Sequence, residues 1–278
     1  MANKTKKETI TTKIWNEIPE DDNPFAAKVC YCSGFDVYGD LLSKASYIEY
    51  LYLLFKLEPP SHNHVLLLEG LAIALANPGI RDHSVRGAMN AGVGGSTHAS
   101  ALIAALAVGA GNLGGGREIY NMVKYWEQCG TDIDAWEQII KDPPVEERAD
   151  VWLPMEHTPG FDPNGASCPL PVRQVLEHMV KIGENKKLEW LQNNRERLEK
   201  FSGCPLAMSG VAATVLYELE LSPDQSEMLY LLLRLPGAAV HGLEQEKLGW
   251  RRYPFFGDGL KLTNDPGPVM MKTTRASE

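Results

Sequence analysis

The sequence predicts a mainly α-helical protein, and three observations predict it. Apolar residues recur at helical spacing in successive segments from Ser46 to Lys247. No part of the chain repeats the strand-then-helix alternation that builds a parallel sheet. The breaks between the helical segments are proline and glycine clusters that stop helices. The longest is Met155–Arg173, which holds Pro159, Pro163, Pro169 and Pro171 with Gly160 and Gly165 between them.

The 278 residues suit one large domain, or a large domain with a small one. A hydrophobic fraction of 44% and a charged fraction of 23% are those of a soluble globular chain. A net charge of -9 argues against nucleic acid as the main partner, because phosphate binding needs clustered Lys and Arg. No apolar run reaches the length of a membrane span. The N-terminus lacks the apolar core of a signal peptide. Five cysteines without a framework spacing predict reduced thiols and a cytoplasmic protein. No ligand set requires a metal.

In chain order, residues 1–25 are polar and are expected to form a flexible arm. Lys28–Asp40 is β-branched and aromatic and reads as a strand pair or extended segment. Ser46–Leu57 is a helix apolar nearly all round, hence buried, and Pro59-Pro60 stops it. His62 and His64 read as cap residues rather than metal ligands. The helix Val65–Ala76 ends at Asn77-Pro78-Gly79. Val85–Val108 is crowded with glycine, alanine and serine, which lets helix backbones come close, and His98 is expected on the packed face.

Gly109–Gly116 is a glycine loop that opens a helix over Arg117–Gln128; it suits either a close approach to a ligand or a plain helix–helix turn. After the Met155–Arg173 loop come helices over Pro171–Ile182, Asn185–Lys200 (charged and solvent-facing) and Leu206–Leu219. Ser222-Pro223-Asp224 starts another, which Pro236 is expected to interrupt or restart before Ala238–Lys247. The domain is expected to span 26–262, with a smaller subdomain at roughly 150–220 and a flexible tail at 263–278.

A long irregular loop inside a compact domain is often functional. Met155–Arg173 carries Glu156, His157, Asp162, Asn164, Cys168 and Arg173. Each also has a plainer reading: Asp162 as a turn cap before Pro163, Asn164 in an Asn-Gly turn, His157 as a surface residue. Cys168 has no assigned base and is a poor nucleophile. Arg234 differs, because it sits inside the apolar run Leu231–Leu235, where a lone charge is expensive and needs a partner or a ligand.

Taken together, these segments resemble the citrate synthase superfamily over roughly Tyr47–Pro254, most specifically its short citryl-CoA lyase-like branch and the related terminal domain of ATP-citrate lyase. Tyr47–Pro60, Glu69–Gly79 and the glycine loop each resemble a family segment. The most specific match is Arg234-Leu-Pro-Gly237-Ala-Ala-Val-His241-Gly-Leu-Glu244-Gln245. The resemblance implies a helical fold with a large and a small domain and a homodimer. It implies carbon–carbon bond chemistry on a carboxylate-bearing CoA thioester, with coenzyme A as part of the substrate and no other cofactor. By position it implies substrate-binding roles for Arg173, Arg234, Arg251, Arg252, Asn112 and His241.

The family's catalytic groups are replaced. Asn77-Pro78-Gly79 stands where the first histidine falls, with Asp82-His83 a few residues on. Gly160-Phe161-Asp162-Pro163 stands where the second falls, and Leu206 stands where the aspartate falls. Replacement chemistry is therefore expected from the loop: Asp162 as base, with His157 and Asn164 as donors to an oxyanion. The other expectation is a catalytically silent thioester-binding protein or partner subunit.

Overall fold

The computed structural model describes residues 11–144, 155–184 and 186–254. The first elements among the described residues form a three-stranded antiparallel sheet, β1 (Asn16–Pro19), β2 (Ala27–Cys32) and β3 (Phe35–Asp36), in that order. Asn16 lies opposite Tyr31, and Tyr31 opposite Asp36. Residues 16–19, expected in the loose arm, are instead an edge strand. All four are exposed, so no apolar pattern betrays them, and backbone pairing holds them to β2.

Helices follow: α1 (Leu42–Lys44), α2 (Tyr47–Lys56), α3 (His62–Ala76), α4 (His83–Val93), α5 (His98–Gly109), α6 (Gly116–Cys129), α7 (Ile133–Lys141), α8 (Leu170–Lys181), α9 (Lys186–Ser202), α10 (Met208–Glu218) and α11 (Pro223–Leu248). The starts are chemical. Ser46 with Glu49, and Ser222 with Gln225, form capping boxes. Ser61, Asp82, Thr97 and Asp132 each accept an otherwise unpaired first-turn N–H. Ser61 is thus the cap, not His62 or His64, and the His64 ring lies against Tyr52 at 5.4 Å. Among the described residues no helix is long and apolar enough to cross a membrane.

Pro236 does not interrupt α11, which runs through it for 26 residues. A mid-helix proline removes one N–H and crowds the preceding turn; here the neighbouring Gly237 lets α11 press onto the end of α3. A methyl group at Gly237 would lie 2.6 Å from the Ala76 carbonyl oxygen. The small-residue run does the same at α4, where a methyl at Gly92 would lie 2.6 Å from the Gly242 oxygen. His98 is not on that packed face: its side chain is exposed and meets Glu246 at 3.1 Å.

One large apolar core draws on α2, α3 and α6–α11. At its centre Trp126 packs edge-on against Trp136 (5.0 Å) and Trp190 (5.4 Å), and its indole N–H donates to Thr214 Oγ1 at 3.0 Å. That bond joins α6 to α10, the two helices whose first turns enter the site described below. α9 presents Leu188, Leu191 and Leu198 to this core beneath its charged face. A smaller cluster of Val85, Ala88, Met89, Ala105 and Ala238 joins α4, α5 and α11. All five cysteines are unbonded.

Candidate functional site

The site is built where the glycine loop, the start of α6 and the middle of α11 meet at Gly114, and where the loop before α8 reaches Glu118. Gly114 has a φ of +64°, a left-handed conformation that glycine adopts without strain. That conformation turns its two backbone groups toward different elements. Its N–H donates to Glu118 Oε2. Its carbonyl accepts from Tyr230 Oη and Arg234 Nη1, both at 2.9 Å.

Glu118 lies in the first turn of α6 and is 1% exposed. A buried carboxylate without compensation costs several kcal/mol, roughly, in effective desolvation. Compensation comes from three donors: Gly114 N–H on Oε2, with Gly160 N–H at 2.8 Å and Ser209 Oγ at 2.7 Å on Oε1. The loop reaches Glu118 because Gly160 passes close to α10. Phe161 pairs as a bridge with Leu206, and Ala207 N–H donates to Gly160 O. A methyl at Gly210 would lie 2.5 Å from that same oxygen.

His157 completes this corner. Its side chain is 10% exposed, and Nε2 faces Glu118 Oε2 at 3.6 Å. Nε2 is buried and makes no hydrogen bond, since 3.6 Å is too long for one.

Arg234, 5% exposed, pairs with the Asp82 carboxylate, donates to the Gly114 carbonyl and lies 4.8 Å from the Tyr230 ring centroid. Asp82 divides its oxygens: Oδ2 takes Arg234, while Oδ1 accepts from Ser84 N–H (2.9 Å) and Val85 N–H (3.3 Å) and so caps α4. Burial pushes the Tyr230 phenol up to about 12; Arg234 opposes the shift and Glu118 and Asp82 add to it. About two turns further along α11, His241 Nε2 meets Asn77 Oδ1 at 3.1 Å, and its Nδ1 lies 3.8 Å from Glu244. Asn112 is half-buried on the glycine loop, two positions before Gly114.

The expected residues therefore divide. His157, Arg234, His241 and Asn112 lie on the elements that meet here. Asp162 serves its own turn: Oδ1 accepts from Asn164 N–H at 2.9 Å, its carbonyl from Gly165 N–H, and Asn164 is exposed. Arg173 is exposed on α8 and lines a cleft of about 530 Å³ with Cys168, Arg195, Glu199 and Cys204. Glu118, His157 and Arg234 are not among its lining residues. Cys168 there is buried, and its thiol is pushed up by burial, with Glu199 adding and Arg195 and Arg173 opposing. Arg251 and Arg252 are exposed in the 3₁₀ turn Trp250–Arg252, with Arg251 5.4 Å from the Trp250 ring.

Glu118 is not among the residues expected from the sequence. The signal is present: Glu118, Met122, Tyr125, Trp126 and Cys129 share the buried face of α6, so helical spacing places a carboxylate where only apolar side chains belong.

No protein-family model matches the chain, and no curated protein matches it. Solved structures do. The citryl-CoA lyase from Hydrogenobacter thermophilus superposes with a TM-score of 0.70 at 15% identity, over 93% of this chain and 96% of that one. The ATP citrate lyase from Methanothrix soehngenii, in complex with citrate and coenzyme A, gives 0.69 at 15% identity. That from Methanosaeta concilii, in complex with (3S)-citryl-CoA, gives 0.70 at 16%. The present chain spans 42% of each ATP citrate lyase chain. At these identities the likeness is one of fold: the chain has the mainly helical, citrate synthase-like fold.

Proposed function

We propose that this protein makes or breaks a carbon–carbon bond in a CoA thioester bearing a carboxylate, as a citryl-CoA lyase-like enzyme. The observation that carries the reading is Arg234. A guanidinium 5% exposed, fixed at the meeting point of the glycine loop and α11, presents a planar fork of donors suited to a carboxylate. Support comes from the fold, shared with a citryl-CoA lyase and with ATP citrate lyases in complex with citrate, coenzyme A and citryl-CoA. The chemistry asks for a carboxylate clamp, a proton carrier and a donor to the thioester enolate, and coenzyme A arrives with the substrate. The exposed apolar residues Ile103 and Val108 on α5, and Val240 and Leu243 on α11, support a second copy of the chain as partner.

A second reading, a thioester-binding protein without turnover, is favoured by the residues that stand where the family's catalytic groups fall: Asn77-Pro78-Gly79, Asp162-Pro163 and Leu206. Mass spectrometry of the CoA species after incubation with citryl-CoA separates the two. A shorter acyl-CoA supports the lyase. Intact citryl-CoA with saturable binding supports the silent binder, and intact citryl-CoA with no binding sinks both.

A further inference from the structure

We infer that His157 is the group that carries the proton in the reaction proposed above, on which the inference rests, and that Glu118 is the residue that positions it. Three facts lead there. The His157 side chain is nine-tenths buried, and its Nε2 makes no hydrogen bond, although burying a polar nitrogen unpaired is unfavourable. The group facing it is a carboxylate oxygen with capacity to spare. Glu118 Oε2 accepts one hydrogen bond, from Gly114, and an ionised carboxylate oxygen has about two lone-pair sites. The two atoms stand 3.6 Å apart, so a closure of roughly 0.6 Å makes a hydrogen bond.

A carboxylate facing Nε2 selects the tautomer with the proton on Nε2. Nδ1 is then left as the basic nitrogen. Glu118 also bonds the backbone of Gly114 and Gly160. The carboxylate that orients His157 therefore fixes both the loop that carries it and the glycine loop that receives Arg234.

In the cleavage direction His157 Nδ1 takes the proton of the substrate's tertiary hydroxyl. The carbinol C–O⁻ becomes a carbonyl as the bond to the thioester α-carbon breaks. That bond's electron pair becomes the thioester enolate. The imidazolium, its charge held beside Glu118, returns the same proton to the enolate carbon. No net proton, oxidant or metal enters.

The test is steady-state cleavage of citryl-CoA by the full chain and by His157→Gln and Glu118→Gln, with ¹⁵N-histidine NMR of each. His157→Gln leaves all three of Glu118's hydrogen bonds in place, so it is the decisive variant, and circular dichroism checks that Glu118→Gln folds. Expected are a fall in kcat on the order of a hundredfold or more for His157→Gln, with KM within a few-fold, and a parallel loss for Glu118→Gln. An imidazole Nε2–H resonance should be absent in His157→Gln and displaced in Glu118→Gln. Native cleavage with undiminished cleavage by His157→Gln overturns the inference and leaves the proposed function standing. Absence of native cleavage overturns the function and the inference with it. A His157 resonance indifferent to Glu118→Gln removes Glu118 as the positioning residue.

Discussion

Asp82 and Arg234, 152 positions apart in sequence, meet as an ion pair in which each carboxylate oxygen serves a different element. Oδ2 neutralises the guanidinium on α11, and Oδ1 caps α4. Under the proposed function Asp82 stands where the ligand's carboxylate binds, and the two compete for Arg234. Asp82→Asn keeps the capping oxygen and removes the competing charge. The expected result is tighter binding of citrate, on the order of tenfold or about 1.4 kcal/mol, measured by titration calorimetry. Unchanged or weaker binding contradicts the competition.

Arg234→Met leaves Asp82 and the Gly114 carbonyl without their charged partner. Breaking a buried pair from one side costs about 3–5 kcal/mol. Asp82 is 17% exposed at its side chain, so the lower end is expected. Denaturant unfolding measures it. A loss below about 1 kcal/mol, the size of an exposed pair, would mean that the pair is not buried as described.

The contact between Gly160 and Gly210 fixes the loop against α10. A methyl at Gly210 meets the Gly160 oxygen at 2.5 Å, and backbone cannot swing aside as a side chain can. Gly210→Ala is expected to cost about 1–3 kcal/mol, the range for overpacking. Gly114→Ala meets nothing within 4 Å and carries only the left-handed backbone penalty, about 1–2 kcal/mol. Thermal unfolding should place Gly210→Ala at or below Gly114→Ala; the reverse order would contradict the close approach.

Tyr230 predicts an alkaline limb of stability. Its folded value is raised to about 12, chiefly by burial, from an ordinary 10. Between these values the unfolded chain loses the phenolic proton while the folded chain keeps it. The stabilisation is fully present below pH 10, roughly, and is lost as pH rises toward 12, to the extent of about 2–3 kcal/mol. Tyr230→Phe lacks the titration and also the bond to Gly114, worth about 1 kcal/mol. It should be less stable than the native chain at neutral pH, with a flatter decline above pH 10. Parallel unfolding curves across that window would rule out a buried, proton-bearing Tyr230.

The assembly proposed for α5 and α11 is tested by Ile103→Glu with Val240→Glu. Both native side chains are more than half exposed, so the folded monomer loses little by the exchange. Light scattering should show a dimer for the native chain and a monomer for the variant. A native monomer at micromolar concentration contradicts the assembly.

The fold was legible because helices announce themselves by period and punctuation. Ser46, Ser222-Pro223 and Asn77-Pro78-Gly79 stand at or within a residue of real boundaries. β1 was not legible, because all four residues of Asn16–Pro19 are exposed and show no buried–exposed alternation. Continuity through Pro236 was hidden too, because it depends on how α11 rests on the end of α3. In the site, Arg234 was readable as a charge inside an apolar run, and Glu118 as a carboxylate at helical spacing on the buried face of α6. What no spacing rule gives is that Gly114 joins them, or that His157 faces Glu118, since those meetings are made by the tertiary fold.

A crystal structure of the protein soaked with citrate and coenzyme A tests the role of Arg234 most directly. The expected result is a ligand carboxylate within hydrogen-bond distance of Arg234, with Asp82 displaced from the guanidinium while still capping α4. A ligand carboxylate held elsewhere, for instance by Arg173 and Arg195, with the Asp82–Arg234 pair intact, would contradict it.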